Sequence, residues 1–447
     1  MALGKEFFKN TFKIAGSTAL AQGIGIVTIP IFARIFSPEI VGQYALFTSL
    51  VGILSLLGTG RYEAALMLPK ERERAINILW GALGIALLWS IVLWILIFSF
   101  KESILAVENY RNLHSYLLWI PVVVLLTCWN RVLLYWFNRE KQFGINAILN
   151  VFNLGGTKIA NISVGGMGYI SVGALIYVNL FVLNVEFLLR SLISGRTLLK
   201  EKLISWRKIK RELVRYKKFP LIDSWNGLLD TGSLLIVPVL LSLYFSDTEV
   251  GLYNQSLVLV QLPIVLIASA FGQVLYQRLC EAKYTGEIGQ IVADIFVLLL
   301  QIGIPVFLII FLWGKEIFTI FLGERWAISG TYAEMLAPWC CLKLCFSPLS
   351  SIFNVEERQG FALFLTITII VTRVLSIFIG GIYGSVYIAI LLFGISGVVL
   401  NLLGIIMVMF LAKQKFSNLV NSFCKNPLKK NTNDFSYIKK NPRQRRI

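Results

Sequence analysis

FSPEIVGQY, Phe36–Tyr44, returns 209 residues later as FSDTEVGLY, Phe245–Tyr253. Each copy follows an apolar run containing a proline, Pro30 in the first case and Pro238 in the second. The match is one of place as well as of letters, since each copy falls after the first hydrophobic segment of a half-chain. It reads as an internal repeat, and the rest of the sequence is organised around it.

The chain of 447 residues is 57% hydrophobic and 15% charged, with mean hydropathy +0.74. A soluble domain carries about 25% charged residues. Charge-poor runs at Ile14–Ala33, Ile40–Gly60, Ala75–Phe100, Val250–Gln277 and Val374–Ala412 each supply the roughly 20 residues that cross a bilayer at about 1.5 Å per residue. Counting all such runs predicts an all-α integral membrane protein of twelve spans, at 12–35, 42–63, 76–100, 113–137, 143–162, 168–190, 219–244, 250–275, 289–312, 331–353, 360–380 and 385–411.

Charge gives an independent reading of sidedness. Lys5, Lys9 and Lys13, then Lys70/Arg72/Arg74, Arg139/Lys141, the segment Arg190–Lys218, Arg278/Lys283, Arg358 and the C-terminal tail all fall on one side, while the alternate connections are shorter and poorer in base. The positive-inside rule places both termini on the cytoplasmic side. Of the net charge of +18, eleven Lys/Arg lie in Arg190–Lys218 and ten in Lys413–Arg446. That clustering marks a cytoplasmic surface facing anionic membrane lipid rather than a nucleic-acid footprint. The predicted organisation is a six-helix bundle over 1–190, a basic amphipathic linker over 191–218, a second pseudo-symmetric bundle over 219–412 and a basic tail over 413–447. In the linker, Leu203, Ile204, Trp206, Ile209, Leu213, Val214 and Tyr216 recur at helical spacing, as for a helix lying on the inner leaflet.

Other chemistry finds little support. The six cysteines show no metal spacing, and the sole histidine, His114, has no partner for a metal site. No phosphate-binding loop leads into a catalytic domain, and no connection is long enough to bury a core of its own. No cleavable leader is expected, because the first apolar run ends at a charged turn. Neither a catalytic residue nor a bound cofactor is predicted.

Ionisable groups inside spans are costly in hydrocarbon and therefore mark pairs, water or function. The deepest are Asp230 in the seventh span, Arg373 in the eleventh and Lys343 in the tenth. Asp223 lies two turns before Asp230, giving the polar stripe DSWNGLLD along an apolar helix. Arg131 sits in the inner third of the fourth span, Arg61 and Arg278 at inner ends, and Arg34 at the outer end of the first. Gln22, Glu63, Asn150, Asn153, Asn226, Gln255, Gln261 and Gln273 add uncharged or acidic polarity. Such a set suits a wet cavity for an anionic ligand, with Arg able to grip two phosphate oxygens. Asp223 and Asp230 are candidates for coupling to an H⁺ or Na⁺ gradient. The competing readings are snorkelling for Arg34, Arg61, Arg131 and Arg278, a shallower position for Lys343, and a buried structural pair for Asp230 and Arg373. For Glu63 it is local pairing with Arg61, which would need a distorted helix because residues two apart do not face each other.

The run from Gln22 to Glu71, with FARIFSPEIVGQY ending the first span and GTGRYEAALMLP ending the second, resembles the start of the oligosaccharide flippases of the multidrug/oligosaccharidyl-lipid/polysaccharide exporter superfamily. Leu252–Leu279 resembles their eighth span. The resemblance implies two six-helix bundles facing each other in a V, opening alternately to either side. It implies as cargo an oligosaccharide repeat unit linked through pyrophosphate to a polyprenol, moved outward for O-antigen, capsule or exopolysaccharide assembly, with a polymerase and a chain-length regulator as partners. It also implies that Arg61, in the RYE segment, meets the lipid pyrophosphate at the inner mouth. A cation-coupled drug exporter of the same superfamily is the nearest alternative, disfavoured by a cavity set richer in Arg/Lys than in Asp/Glu. A membrane polysaccharide polymerase or ligase is disfavoured by the lack of a large external loop.

Overall fold

A computed structural model describes residues 20, 22–105, 112–198, 205–285 and 288–412. The N-terminal basic segment and the tail from 413 onward lie outside them. The described chain is helical, and its principal helices are α1 (Gln22–Ile35), α2 (Pro38–Leu57), α3 (Tyr62–Ala65), α4 (Arg72–Ser99), α5 (Ile120–Arg139), α6 (Phe143–Val151), α7 (Thr157–Gly166), α8 (Val172–Leu198), α9 (Trp206–Arg215), α10 (Ser224–Asp230), α11 (Gly232–Tyr244), α12 (Asp247–Thr285), α13 (Ile288–Leu322), α14 (Ala327–Leu349), α15 (Gln359–Ile382) and α16 (Val386–Leu411).

Among the described residues nine helices are long and apolar enough to cross a membrane. The seventh predicted span is a bent pair, Phe219–Leu229 and Gly232–Tyr244, meeting at 58°. The first corresponds to the shorter apolar helix α1, and the fifth to α6 and α7 joined by a π-helical turn, Phe152–Gly156. These elements are compatible with the twelve-span reading. Several boundaries moved: the sixth span runs on to Leu198 and the eighth to Thr285. The second span ends at Leu57, so that Arg61 and Glu63 leave it, and the chain expected to be an external loop after residue 312 is helical through Leu322 beyond a kink at Trp313. Large apolar side chains such as Leu88, Phe98, Phe181, Leu192, Ile320 and Phe410 stand exposed, as lipid-facing residues must.

The repeat owes its form to helix-start chemistry. Ser37 caps α2 by accepting from the Ile40 N–H at 3.4 Å, with Pro38 in the first turn, where its missing N–H costs nothing. Ser246 and Glu249 form a reciprocal capping box on α12: the Ser246 N–H donates to Glu249 Oε2 at 3.1 Å, and the Glu249 N–H donates to Ser246 Oγ at 3.4 Å. The two starts then meet face to face. A Cβ on Gly42 would lie 2.8 Å from the Gly251 nitrogen and overlap the Asp247 carbonyl oxygen; one on Gly251 would lie 2.8 Å from the Gly42 nitrogen and overlap the Pro38 carbonyl oxygen. Gly42 and Gly251, like Pro38 and Asp247, are related by the same 209-residue offset, so the contact is reciprocal under a local pseudo-twofold.

By internal packing the chain divides into two compact units. The first contains the chain to Leu259 with Lys315–Tyr332 and Ile370–Leu392; the second contains Val260–Gly314, Ala333–Ile369 and the chain from Phe393. In the first, Leu46, Phe47, Val124, Leu126, Cys128 and Ile176 form a core shared by α2, α5 and α8. A neighbouring cluster joins Tyr62, Leu66, Ile76, Leu79, Trp136 and Phe137 to Leu213, Tyr216 and Phe219 of the connector. In the second, Leu279, Val292, Leu349, Phe353, Leu365 and Val408 bring α12, α13, α15 and α16 together with the α14 end.

The linker helix α9 differs from its predicted placement. Ile209 and Leu213 press on Gly81 of α4, Arg74 donates to both Glu212 carboxylate oxygens at 3.0 Å, and Lys208 pairs with Glu73. Trp206 and Val214, assigned to the same apolar face, stand exposed. Of the seven, Trp206, Ile209, Leu213 and Val214 lie within the helix, which turns Ile209 and Leu213 to the bundle and Trp206 and Val214 away from it. Leu203 and Ile204 lie outside the described residues.

Candidate functional site

Two consecutive residues with positive φ, Gly60 at 56° and Arg61 at 58°, turn the chain sharply after α2. An arginine in this left-handed region is uncommon and carries a cost on the order of 1 kcal/mol, so surrounding contacts must hold it. They are on both sides. The Tyr62 hydroxyl donates to the Leu213 carbonyl at 2.8 Å, Arg139 donates to the carbonyls of Leu66 and Pro69 at 2.7 and 2.6 Å, and Pro220 packs against Gly60.

The result fixes where Arg61 points. Its Nε donates to Asp223 Oδ2 at 3.1 Å, across 162 residues of sequence. Its guanidinium lies over Gly227, where a Cβ would sit 3.3 Å from Cζ. Asp223 ends a π-helical turn, Phe219–Asp223, that leads into α10. Both partners retain solvent access, 30% for Arg61 and 40% for Asp223, so the pair contributes at most about 1 kcal/mol and can exchange for another anion. Glu63 is not its partner. The turn sends Glu63 inward, nearly fully buried, where one oxygen accepts from the Thr59 hydroxyl at 2.5 Å and the other has no hydrogen bond.

The other predicted residues disperse. Arg131 donates to the Ser55 carbonyl at 3.1 Å, satisfying one of the acceptors left open by the end of α2. Arg373 is buried and donates to Ser233 Oγ at 2.6 Å. Lys343, in the second unit, lies with its ammonium 5.0 Å from the Trp339 ring centroid, a cation–π contact. Arg34 and Arg278 are exposed, as is Asn226, while Gln22 and Asn150 are half-buried. Gln255 and Gln261 each have a buried amide nitrogen without a hydrogen bond. Asn153 donates to Glu186 Oε2 at 2.5 Å from the π turn. The side chains of Asp230 and Gln273 lie outside the described residues, so the shared face expected for Asp223 and Asp230 is not established.

Three polar groups escaped the sequence reading. Arg190, fully buried, donates to Glu186 at 3.0 and 2.8 Å and to Asn146 Oδ1 at 2.5 Å, beneath the Phe137 ring. The i,i+4 spacing of Glu186 and Arg190 was the available signal. Glu186→Ala would strand the arginine in the bundle, with an expected loss of about 3–5 kcal/mol seen in thermal unfolding of the purified protein, whereas Glu186→Gln should cost less. Asp247, buried, accepts from Gln43 at 3.0 Å and Asn112 at 2.7 Å beside the glycine contact. Lys158 is a cation well inside the fifth segment. Among the described residues no group of three or more Asp, Glu, His or Cys is placed to hold a metal ion.

Comparison with known proteins defines the class. A solved structure of the lipid II flippase MurJ in an inward closed conformation matches 93% of this chain and 90% of its own at TM-score 0.72 and 14% identity. An inward-facing multidrug resistance MATE family transporter of the MOP superfamily matches 88% of this chain and 94% of its own at TM-score 0.70 and 15% identity. A MOP superfamily transporter from Pyrococcus furiosus, whose binding pocket is described as having reverse polarity, matches at TM-score 0.59 and 14% identity, covering 91% of this chain and 97% of its own. The chain therefore shares its fold with these membrane transporters, and its long apolar helices are those of a multi-pass membrane protein. Residues 31–330 match the family model described as polysaccharide biosynthesis protein, and the chain belongs to that family. The succinoglycan biosynthesis transport protein ExoT of Rhizobium meliloti (strain 1021) is 35% identical over 75 residues, 16% of this chain and 15% of that relative.

Proposed function

We propose that the protein flips polyprenyl-pyrophosphate-linked oligosaccharide units from the cytoplasmic to the external leaflet of the bacterial inner membrane, by alternating access and without catalysing a covalent reaction. One observation carries this reading: Arg61 is fixed by its backbone yet water-accessible, and its only described carboxylate partner, Asp223, can yield to a diphosphate. Membership in a polysaccharide biosynthesis family and a fold shared with a lipid II flippase support the same direction.

Sugars and pyrophosphate would stay with protein polar groups while the polyprenyl tail stays in lipid, which avoids a penalty of several kcal/mol per polar group left unpaired in hydrocarbon. Asp223, already coupled to Arg61, is the group at which H⁺ or Na⁺ could enter the cycle, with Asp230 the second candidate. Both termini are placed in the cytoplasm, and a polymerase and chain-length regulator are the partners downstream.

The test uses liposomes holding the purified protein and a fluorescent glycan-pyrophosphate-polyprenol, scored for leaflet transfer beside efflux of an organic cation. Transfer of the lipid-linked glycan without cation efflux is expected. Cation efflux with no movement of several compatible glycan lipids would assign a drug exporter instead.

A further inference from the structure

Lys158 sits fifteen residues after Phe143 and eight before Gly166, the ends of the α6–α7 segment. At about 1.5 Å per residue that is roughly 22 Å from one end and 12 Å from the other. Side chains on a helix lean toward its N-terminus, here deeper into the bundle and away from the nearer end. The ammonium follows that direction. It lies against Gly25 of α1, where a Cβ would overlap Nζ and come within 3.5 Å of Cε. A lysine reaching for an interface would point the other way, so snorkelling does not explain it.

Its surroundings supply no counter-charge. Among the described residues no carboxylate or hydrogen-bond acceptor pairs with Lys158, although the side chain is half-buried. Glu186, the acidic group of this helical pair, is engaged by Arg190 and Asn153. The π turn at Phe152–Gly156 contributes a second feature: one extra residue in a turn rotates everything after it by about 100°, which sets the direction in which Lys158 leaves α7. A side chain serving packing alone would be apolar at this depth, and a structural lysine would have its acid.

We propose that Lys158 is an anion-binding residue whose ammonium meets a phosphate oxygen of the transported pyrophosphate, in a slot kept open by Gly25. The assignment rests on the lipid-linked cargo proposed above, and it adds a lysine point charge distinct from the directional grip of Arg61.

The experiment compares full-length wild type, Lys158→Met, Lys158→Arg and Gly25→Ala in nanodiscs for binding of inorganic pyrophosphate, and in liposomes for transfer of a glycan-pyrophosphate-polyprenol. Lys158→Met is expected to weaken pyrophosphate binding about tenfold or more and to slow transfer correspondingly, Lys158→Arg to stay near wild type, and Gly25→Ala to weaken binding to a smaller but measurable extent, because its methyl moves the flexible end of the lysine out of the slot without removing its charge. Should Lys158→Met not fold, Gly25→Ala carries the test. Unchanged pyrophosphate binding in both variants overturns the proposal, whatever happens to transfer. A loss that appears only in vesicles of phosphatidylglycerol, with pyrophosphate unaffected, assigns the lysine to a bilayer headgroup and likewise overturns it. If the wild type moves no lipid-linked glycan yet pyrophosphate binding still depends on Lys158, the flippase reading fails and the anion site stands.

Discussion

Arg61→Ala is expected to lower leaflet transfer of the lipid-linked glycan about tenfold or more while leaving the thermal unfolding of the protein close to wild type. The two effects separate because Arg61 does different things for fold and for cargo. For the fold it offers one exposed ion pair, worth roughly 0–1 kcal/mol. Its left-handed backbone is no worse for Ala than for Arg, and the turn keeps its braces at Tyr62 and Arg139. For the cargo it offers a planar donor array held where a diphosphate can replace Asp223, and losing a charge-assisted contact of about 1.5–3 kcal/mol corresponds to a factor of ten or more. Arg61→Lys should recover part of the rate, because the charge survives and the fork does not. Asp223→Asn removes the competing anion and should tighten binding of inorganic pyrophosphate several-fold. Transfer by Arg61→Ala at the wild-type rate would remove Arg61 from the cargo path.

Much of this geometry could be read from residue order, and the limits have physical causes. The repeat was legible because helix starts have their own local code: Ser at the cap, Pro or an acid in the first turn, Gly where helices touch. Span positions followed from hydropathy, since lipid imposes one rule on every segment. What failed was direction. Arg61 and Glu63 read as the end of a span because nothing apolar or polar in GTGRYE announces two successive positive φ values; that conformation comes from bracing by Leu213, Arg139 and Pro220, which are distant in sequence. The amphipathic reading of the linker did not anticipate its packing, because the apolar residues Ile209 and Leu213 of α9 find their partner in Gly81 of α4, more than a hundred residues away in sequence. Lys158 was passed over within an apolar run, although a single cation there needs an account as much as Asp230 or Arg373 does. Arg131 was singled out for its depth, while the hydrogen bond it makes here, to the Ser55 carbonyl at the end of α2, depends on which helix lies beside it and is not written in its own span.

The second large effect concerns the glycine pair. Gly42→Ala and Gly251→Ala should each destabilise the protein by about 1–3 kcal/mol, because the added methyl meets backbone rather than a movable side chain. Relief requires α2 and the start of α12 to separate, and in lipid such contacts depend on close backbone approach, since burial of apolar area adds little there. That shared remedy makes a further prediction. Once one methyl has forced the helices apart, the second finds space already opened, so the double variant should cost clearly less than the sum of the singles, a coupling resolvable in a double-mutant cycle of thermal unfolding. Gly84 of α4 supplies the control: a Cβ there meets nothing within 4 Å, and Gly84→Ala should be neutral or stabilising by up to about 1 kcal/mol through the lower helix propensity of glycine. The contact also holds Asp247 beside Gln43 and Asn112, so separating the helices breaks a buried carboxylate's two amide bonds and should impair leaflet transfer along with stability. Additive single costs, or a Gly42→Ala variant as stable as Gly84→Ala, would show that these two helix starts do not bear on each other through the backbone.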